Sequence, residues 1–287
     1  MIRLGLIGFP LDHSYSQCLH ERALESAGLE GTYRLWEVPP LPGSREELLV
    51  KLSSLREGTI RGINVTIPHK ESILPFIDRL TPTARAVGAV NTLFRDPQKD
   101  RLIGENTDSP GFWADVRKGW GKEKGGENRR ALVLGAGGAA RAVIHALITR
   151  DWSVTVAARR ILQAENIARY FAGHGGAVEA CHLSEHVLPG VESCRLIVNA
   201  TPVGMAPDTN RSPWPPTWEF PRTGAVYDLV YNPPQTEFMR QAEEQGLEAR
   251  NGSGMLVEQA ALAFRCWTGV EPRRSELLEV LHSKAAE

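Results

Sequence analysis

The sequence predicts an α/β protein of two domains, each built on a largely parallel sheet. Three observations carry this. The length of 287 residues suits about two domains of roughly 150 residues each. Short apolar runs of strand length alternate with helical stretches, the pattern of strand–helix repeats. Near the middle of the chain a glycine turn joins one such run to the helix that follows it.

The first hundred residues supply the first sheet. Arg3–Gly8 is a short apolar strand ending in glycine. Ser16–Ala27 reads as a helix with Leu19, Ala23 and Leu24 on one side. Thr32–Val38 alternates as a strand, and Ser44–Leu55 reads as a helix opened by a capping box, Ser44 followed by Glu47. Gly62–Val65 is the next strand. Two strand–helix repeats within about 60 residues favour parallel pairing. Val90–Phe94 and Arg101–Gly104 read as a hairpin on the edge of that sheet.

The second domain opens near Gly119–Arg130, a polar, glycine-rich loop. Arg130–Leu134, Ser153–Ala158, Leu196–Asn199 and Ala225–Leu229 read as strands. Ala139–Thr149, Leu162–Ala172, Thr236–Gln245, Leu256–Trp267 and Ser275–Ser283 read as helices. Pro207–Pro221 holds five prolines and two tryptophans and reads as an irregular loop.

Composition excludes some functions. Lys plus Arg number 33 and Asp plus Glu 34, a net charge of −1. General nucleic-acid or membrane-surface binding needs a net basic field, which this chain lacks. No apolar run reaches the roughly 18 residues that cross a bilayer. Met1–Ser14 is broken by Asp12 and His13 and lacks the layout of a signal peptide. Cys18, Cys181, Cys194 and Cys266 lie far apart and form no CxxC, so reduced thiols in a cytoplasmic protein are expected.

The glycine turn carries the first chemical signal. Gly135, Gly137 and Ala140 fit G-x-G-x-x-A between a strand and a helix. The first glycine allows the tight turn, the second lets the backbone approach a pyrophosphate, and the small third residue packs helix on strand. The helix N-terminus then offers free N–H groups to phosphates. A plain tight turn has the same glycines, but the flanking strand and helix and the spacing of the next strand favour a Rossmann-like dinucleotide site. At the end of that next strand an NAD site wants an acid for the ribose hydroxyl. Here stand Arg159 and Arg160, whose guanidinium groups suit a 2′-phosphate, so the expected cofactor is NADP.

The N-terminal half holds polar clusters at strand ends, where open α/β sheets place ligands. Ser14 and Ser16 precede a helix; their hydroxyls suit a carboxylate, and simple N-capping explains them equally well. Lys70 follows a turn after Gly62–Val65 and is either a general acid or a solvated charge. Asp108 either caps the helix after it or faces Lys70 across a cleft.

Taken together, these segments resemble shikimate dehydrogenase, the NADP-linked family of aromatic amino-acid biosynthesis. The likeness spans nearly the whole chain. It rests on G-x-P-x-x-H-S-x-S (Gly8–Ser16), N-V-T-x-P-x-K (Asn64–Lys70), G-A-V-N-T (Gly88–Thr92) and N-T-D-x-x-G (Asn106–Gly111). It continues in G-A-G-G-A-A-R-A (Gly135–Ala142), N-A-T-P-V-G-M (Asn199–Met205), Y-D-L-V-Y-N-P (Tyr227–Pro233) and G-M-L-x-x-Q-A (Gly254–Ala260).

The resemblance implies a role for each residue. Lys70 is the catalytic lysine, paired with Asp108. Ser14 and Ser16, with Tyr231, hold the substrate carboxylate. Thr66, Asn91, Asp108 and Gln259 bond the ring hydroxyls. Gly135, Ala136, Gly137, Gly138 and Ala139 bind NADP with Arg159 and Arg160, and Leu229, Gly252 and Met255 lie near the nicotinamide. The reaction implied is reversible reduction of 3-dehydroshikimate to shikimate, with no metal, because a protonated lysine polarises the carbonyl. The resemblance also implies a substrate domain at 1–106, an NADP domain at 107–250, a deep cleft between them, and C-terminal helices, 251–287, that return to the first domain. A monomer or a homodimer is expected, with a small-molecule substrate and neither nucleic acid nor membrane as partner.

The chain departs from the family pattern in places. Gln17 and Glu21 replace the usual Pro and Asn. Ala158-Arg159-Arg160 replaces Asn-Arg-Thr, which puts the strength of the NADP preference in question. Ser253 replaces a Leu, and Glu258 stands where a small or neutral residue is usual. Rival readings are a quinate/shikimate enzyme with relaxed substrate or cofactor use, and a non-catalytic NADP-binding regulator. The regulator has no need of Lys70 and Asp108, and both are present. Cys181, His182 and His186, with the histidines at i, i+4 on a possible helix, suggest metal ligands, but no second cluster completes a site, so ordinary surface residues are expected. His13 and His69 are expected to orient loops.

Overall fold

The computed structural model describes residues 1–96, 98–120, 129–184 and 190–285. The chain divides into two compact units, Met1–Gly111 with Leu256–Glu287, and Phe112–Met255.

The first unit contains β1 (Ile2–Gly8), α1 (Ser16–Ser26), β2 (Gly31–Glu37), α2 (Arg45–Arg56), β3 (Gly62–Val65), α3 (His69–Ser72), β4 (Arg79–Leu80), α4 (Pro82–Val87), β5 (Thr92–Asp96) and β6 (Arg101–Glu105). Its sheet runs β2-β1-β3-β5-β6-β4. β1 is parallel to β2 and β3, and β5 is antiparallel to β3 and β6. Side chains alternate between faces along β1. Leu4 and Leu6 pack with Leu19 and Leu24 of α1, whereas Ile7 packs with Leu48, Leu52 and Leu55 of α2. Val257, Phe264, Trp267, Leu277 and Leu281 from the C-terminal segment complete the α1 side of this core.

The first unit departs from expectation at two places. The β5–β6 hairpin is not the sheet edge, because Arg79–Leu80 pairs outside β6. A two-residue strand has no periodicity to read; only its partner defines it. Ser44 precedes α2 but makes no side-chain cap. Its hydroxyl donates to the Pro39 carbonyl instead, so the capping box does not form.

α5 (Asp108–Trp120) carries the chain into the second unit. There follow β7 (Arg130–Leu134), α6 (Gly138–Ile148), β8 (Ser153–Ala158), α7 (Ile161–Ala172), β9 (Val178–His182), β10 (Leu196–Asn199), β11 (Ala225–Asp228), α8 (Glu237–Glu244) and β12 (Glu248–Asn251). α9 (Ser253–Thr268) and α10 (Arg274–Ala285) close the chain. The expected loop at Gly119–Arg130 falls mainly on 121–128, outside the described residues, while Gly119 and Trp120 belong to α5.

The second sheet is wholly parallel, ordered β9-β8-β7-β10-β11-β12, with its first strand central. This is the doubly wound order that places a ligand where successive connections leave on opposite faces. On one face Val143, Ile144 and Leu147 of α6 and Ile167 and Phe171 of α7 cover Val133, Val156 and Val198. On the other, Leu132, Leu134, Ile197 and Val226 are covered by Phe238 of α8 and by Trp214, Trp218 and Phe220. The proline-rich loop is therefore irregular in backbone yet supplies a core layer. Trp214 Nε1 donates to the Trp218 carbonyl at 3.0 Å, which satisfies the buried indole.

Cys181 and His182 end strand β9 and are not helical, and His186 lies outside the described residues. Among the described residues no three His, Cys, Asp or Glu side chains gather to hold a metal. No described helix is long and apolar enough to cross a membrane.

Candidate active site

In the first unit, polar residues collect at the C-terminal ends of β1 and β3 and where β5 begins. A turn after β3 starts α3, with the His69 N–H bonded to the Thr66 carbonyl at 2.9 Å. His69 is buried, and its Nε2 lies 2.7 Å from the Val38 carbonyl, so the ring anchors the turn as expected. The Val90 N–H donates to the Lys70 carbonyl at 2.8 Å, which ties α3 to the segment before β5.

Lys70 Nζ donates to Asp108 Oδ2 at 2.7 Å. Asp108 begins α5, but it does not cap it. The Ser109 N–H is taken by Asn106 Oδ1 at 3.0 Å, which leaves the Asp108 carboxylate for Lys70 and Asn91. Asn91 Nδ2 donates to Asp108 Oδ1 at 2.8 Å and approaches Gln259 Oε1 at 3.4 Å. Lys70, Asp108, Asn91 and Gln259 are thus joined by direct contacts. An ammonium held on a carboxylate is a directed proton donor and an electrophile for a carbonyl oxygen.

Ser14, Ser16 and Thr66 follow the neighbouring strands β1 and β3. Tyr15 is the N-cap residue of α1 and makes no side-chain cap; Ser14 Oγ accepts the Ser16 N–H at 3.3 Å. The Ser14 hydroxyl thus takes a free N–H at the start of α1, while Ser16 lies inside the helix.

In the second unit, Gly135, Ala136, Gly137, Gly138 and Ala139 form the turn from β7 into α6. Gly135 has φ of +108°, a conformation that side-chain-bearing residues rarely adopt. Gly137 is the N-cap residue of α6, with no side-chain cap, and a Cβ built on it meets nothing within 4 Å. Open space over an uncapped helix start fits a pyrophosphate. Arg159 and Arg160 follow β8, both exposed, with Arg160 the N-cap residue of α7.

Leu229, Gly252 and Met255 also lie in this unit. The Leu229 N–H donates to the Asn199 carbonyl at 2.9 Å and the Gly252 N–H to the Val230 carbonyl at 3.1 Å. A Cβ on Gly252 would stand 2.2 Å from the Leu229 carbonyl oxygen, so only glycine permits this approach. Met255 is buried in the α6–α7 core, and Leu229 packs against that core. Tyr231 sits in the turn after β11, half-buried, in this second unit.

A buried carboxylate that sequence reading passed over organises the same turns. Asp228 Oδ1 accepts from Asn199 Nδ2 at 2.8 Å and from the Val230 N–H at 3.0 Å, and Oδ2 accepts from Thr236 Oγ1 at 2.7 Å. Burial still outweighs these bonds and pushes its pKa up to about 6. Glu258 also gains a physical account. It is buried, and Arg274 Nε meets it at 2.6 Å, so the chain carries a charge pair where the family pattern is neutral.

A model of the shikimate dehydrogenase substrate binding domain matches residues 6–93, and one of the shikimate 5'-dehydrogenase C-terminal domain matches residues 252–282. A shikimate dehydrogenase (NADP(+)) of Salinibacter ruber is 43% identical over 271 residues, 92% of this chain and 90% of that one. The shikimate 5-dehydrogenase of Thermus thermophilus, in complex with NADP(H) and shikimate, aligns at a TM-score of 0.83 and 41% identity, covering 99% of both chains. Quinate dehydrogenase of Corynebacterium glutamicum, in complex with NAD, aligns at a TM-score of 0.82 and 30% identity, covering 98% of this chain and 99% of that chain.

Proposed function

The chain belongs to the shikimate dehydrogenase family, and from that membership we infer the roles of its own residues in an NADP-dependent interconversion of 3-dehydroshikimate and shikimate. The observation that carries the reading is the Lys70–Asp108 pair, an ammonium and a carboxylate at 2.7 Å among hydroxyl- and amide-bearing side chains.

The bound nicotinamide supplies or accepts the hydride. Lys70 polarises the carbonyl oxygen and gives it the proton in reduction; in oxidation it takes the proton back. Asp108 holds the ammonium at 2.7 Å and fixes its direction. Thr66, Asn91, Asp108 and Gln259 bond the ring hydroxyls, and Ser14, Ser16 and Tyr231 hold the carboxylate. Gly135–Ala139 receive the pyrophosphate, and Arg159 and Arg160 the 2′-phosphate. Leu229, Gly252 and Met255 flank the nicotinamide. In this reading 1–106 with 251–287 serve the substrate and 107–250 the cofactor, in a cytoplasmic enzyme without a nucleic-acid partner.

The test is reduced-nicotinamide absorbance on mixing the protein with shikimate or quinate and with NADP⁺ or NAD⁺. A signal with shikimate and NADP⁺ alone is expected. Comparable efficiency with quinate or NAD⁺ replaces this reading with a dual-specificity enzyme. No signal from a protein that still binds NADP⁺ replaces it with a regulator.

A further inference from the structure

Behind Asp108 runs a chain of buried hydrogen bonds that ends at a tyrosine on β2. Tyr33 projects its phenol across β1, on the face covered by α1 and α9, and donates to Asn64 Oδ1 on β3 at 2.8 Å. Asn64 Nδ2 donates to the Asn91 carbonyl at 3.1 Å and to Thr92 Oγ1 at 3.3 Å. Thr92 Oγ1 donates to Asn91 Oδ1 at 3.1 Å, and Asn91 Nδ2 donates to Asp108 Oδ1 at 2.8 Å. Every member is buried.

Backbone groups fix the direction of each link. The Thr107 N–H can only donate, and it meets Asn91 Oδ1 at 2.8 Å. The Asn91 amide must therefore turn its NH₂ toward the carboxylate. The Asn91 carbonyl can only accept, so the Asn64 amide turns its NH₂ toward β5 and its oxygen toward β2. That oxygen needs a donor, and the Tyr33 hydroxyl is the donor. The phenol ring is itself clamped. His20 stacks on it at 4.5 Å and 11°, and Trp267 tilts against it at 6.5 Å. Burial pushes the His20 pKa down to about 3, so the stacking ring is neutral.

We propose that Tyr33, acting through Asn64, Thr92 and Asn91, is a positioning residue that holds the Asp108 carboxylate and so aims the Lys70 ammonium. Lys70 pulls on one carboxylate oxygen, and the buried chain holds the other. Removing the phenol hydroxyl takes the 2.8 Å donor from the buried Asn64 oxygen, which the His20 ring also faces, and the link to Asn91 loosens. The proposal rests on Lys70 and Asp108 being the proton-transferring pair.

The experiment is steady-state kinetics of the full chain with shikimate and NADP⁺ for Tyr33→Phe, Thr92→Val and Lys70→Ala. The first two break different links while keeping side-chain shape. Each is expected to lower kcat about threefold to tenfold, the scale of one buried hydrogen bond, with both KM values within about twofold. In an Asp108→Asn background the Tyr33→Phe effect on residual turnover should vanish, because coupled residues are not additive. A folded Tyr33→Phe variant with a lower Tm and unchanged kcat overturns the proposal. Should that variant not fold, an unchanged kcat in folded Thr92→Val overturns it equally. Lys70→Ala separates the two levels: full turnover there removes the reading of the pair itself, whereas its loss beside an unaffected Tyr33→Phe removes only the positioning role.

Discussion

Lys70 Nζ meets Asp108 Oδ2 at 2.7 Å, with side-chain exposures of 14% and 6%. Such a pair gains little stability over an apolar alternative, because desolvation offsets attraction. Its place among the polar side chains of Asn91 and Gln259 is better explained by chemistry. Lys70→Ala should therefore cut turnover by roughly 10²–10⁴-fold, the usual worth of a general acid–base group. NADP⁺ affinity should stay the same, since the glycine turn belongs to the other unit. Kinetics and a fluorescence titration with NADP⁺ check the two halves.

In the proposed reading, cofactor choice rests on Arg159 and Arg160, which are exposed and follow β8. Alanine at either position removes charge-assisted bonds to a 2′-phosphate. The KM for NADP⁺ should rise roughly 10-fold or more, as such bonds are worth about 1.5–3 kcal/mol. The KM for NAD⁺, which lacks that phosphate, should barely change. Equal rises for both cofactors would show that the arginines act on something else.

Asp228 predicts a pH dependence of stability. Its folded pKa is about 6, whereas an unfolded Asp titrates near 3.9. Between those values the folded state keeps a proton that the unfolded state has lost. Stability therefore falls as pH rises from about 4 to about 6, by ~3 kcal/mol at most. Asp228→Asn, which never ionises, should flatten that part of the curve. Urea denaturation of both proteins at pH 4 and pH 6.5 measures it.

Arg274→Ala takes the cation from the buried Glu258 carboxylate. The expected loss is about 2 kcal/mol, below the full cost of breaking a buried pair because Arg274 is partly exposed. Replacing both, Glu258→Leu with Arg274→Met, should restore much of the melting temperature. A single Arg274→Ala variant as stable as the parent would show that the pair is structurally idle.

Much of the fold was legible because its signals are local. A strand, a glycine turn and a helix within a dozen residues announce a nucleotide-binding turn, since tight turning, backbone approach and helix packing each demand a particular small residue at a particular offset. β12 and the paired edge of β6 were not legible. Glu248–Asn251 is mostly half-buried, and Arg79–Leu80 is two residues long. Ser44 shows the converse, a local cap signal that a nearer carbonyl overrode.

At the site the same division holds. The ordered motifs gathered Lys70, Asp108, Asn91 and Gln259 into one expected site. Taken alone, Asp108 could cap a helix or meet Lys70, because both uses put an acid at the same helix start; the resemblance carried by the motifs chose the pair. Asn64 was visible as the first residue of the Asn64–Lys70 motif and as a polar residue in a strand of four, GINV, but with no role attached to it. Its bonds to Tyr33, Asn91 and Thr92 join residues 31, 27 and 28 positions apart. From the residue order alone come the layer pattern, the glycine turn, the arginines after β8 and the family of the chemistry. The resemblance already paired Lys70 with Asp108, and the tertiary structure supplied the 2.7 Å geometry of that pair; the partner of Glu258 and the polar chain behind the carboxylate came only from the tertiary structure. Periodicity and turn chemistry act over a few residues and are written into the chain. The partner of a buried polar group is chosen by whichever strands and helices packing brings within about 3 Å, the reach of a hydrogen bond.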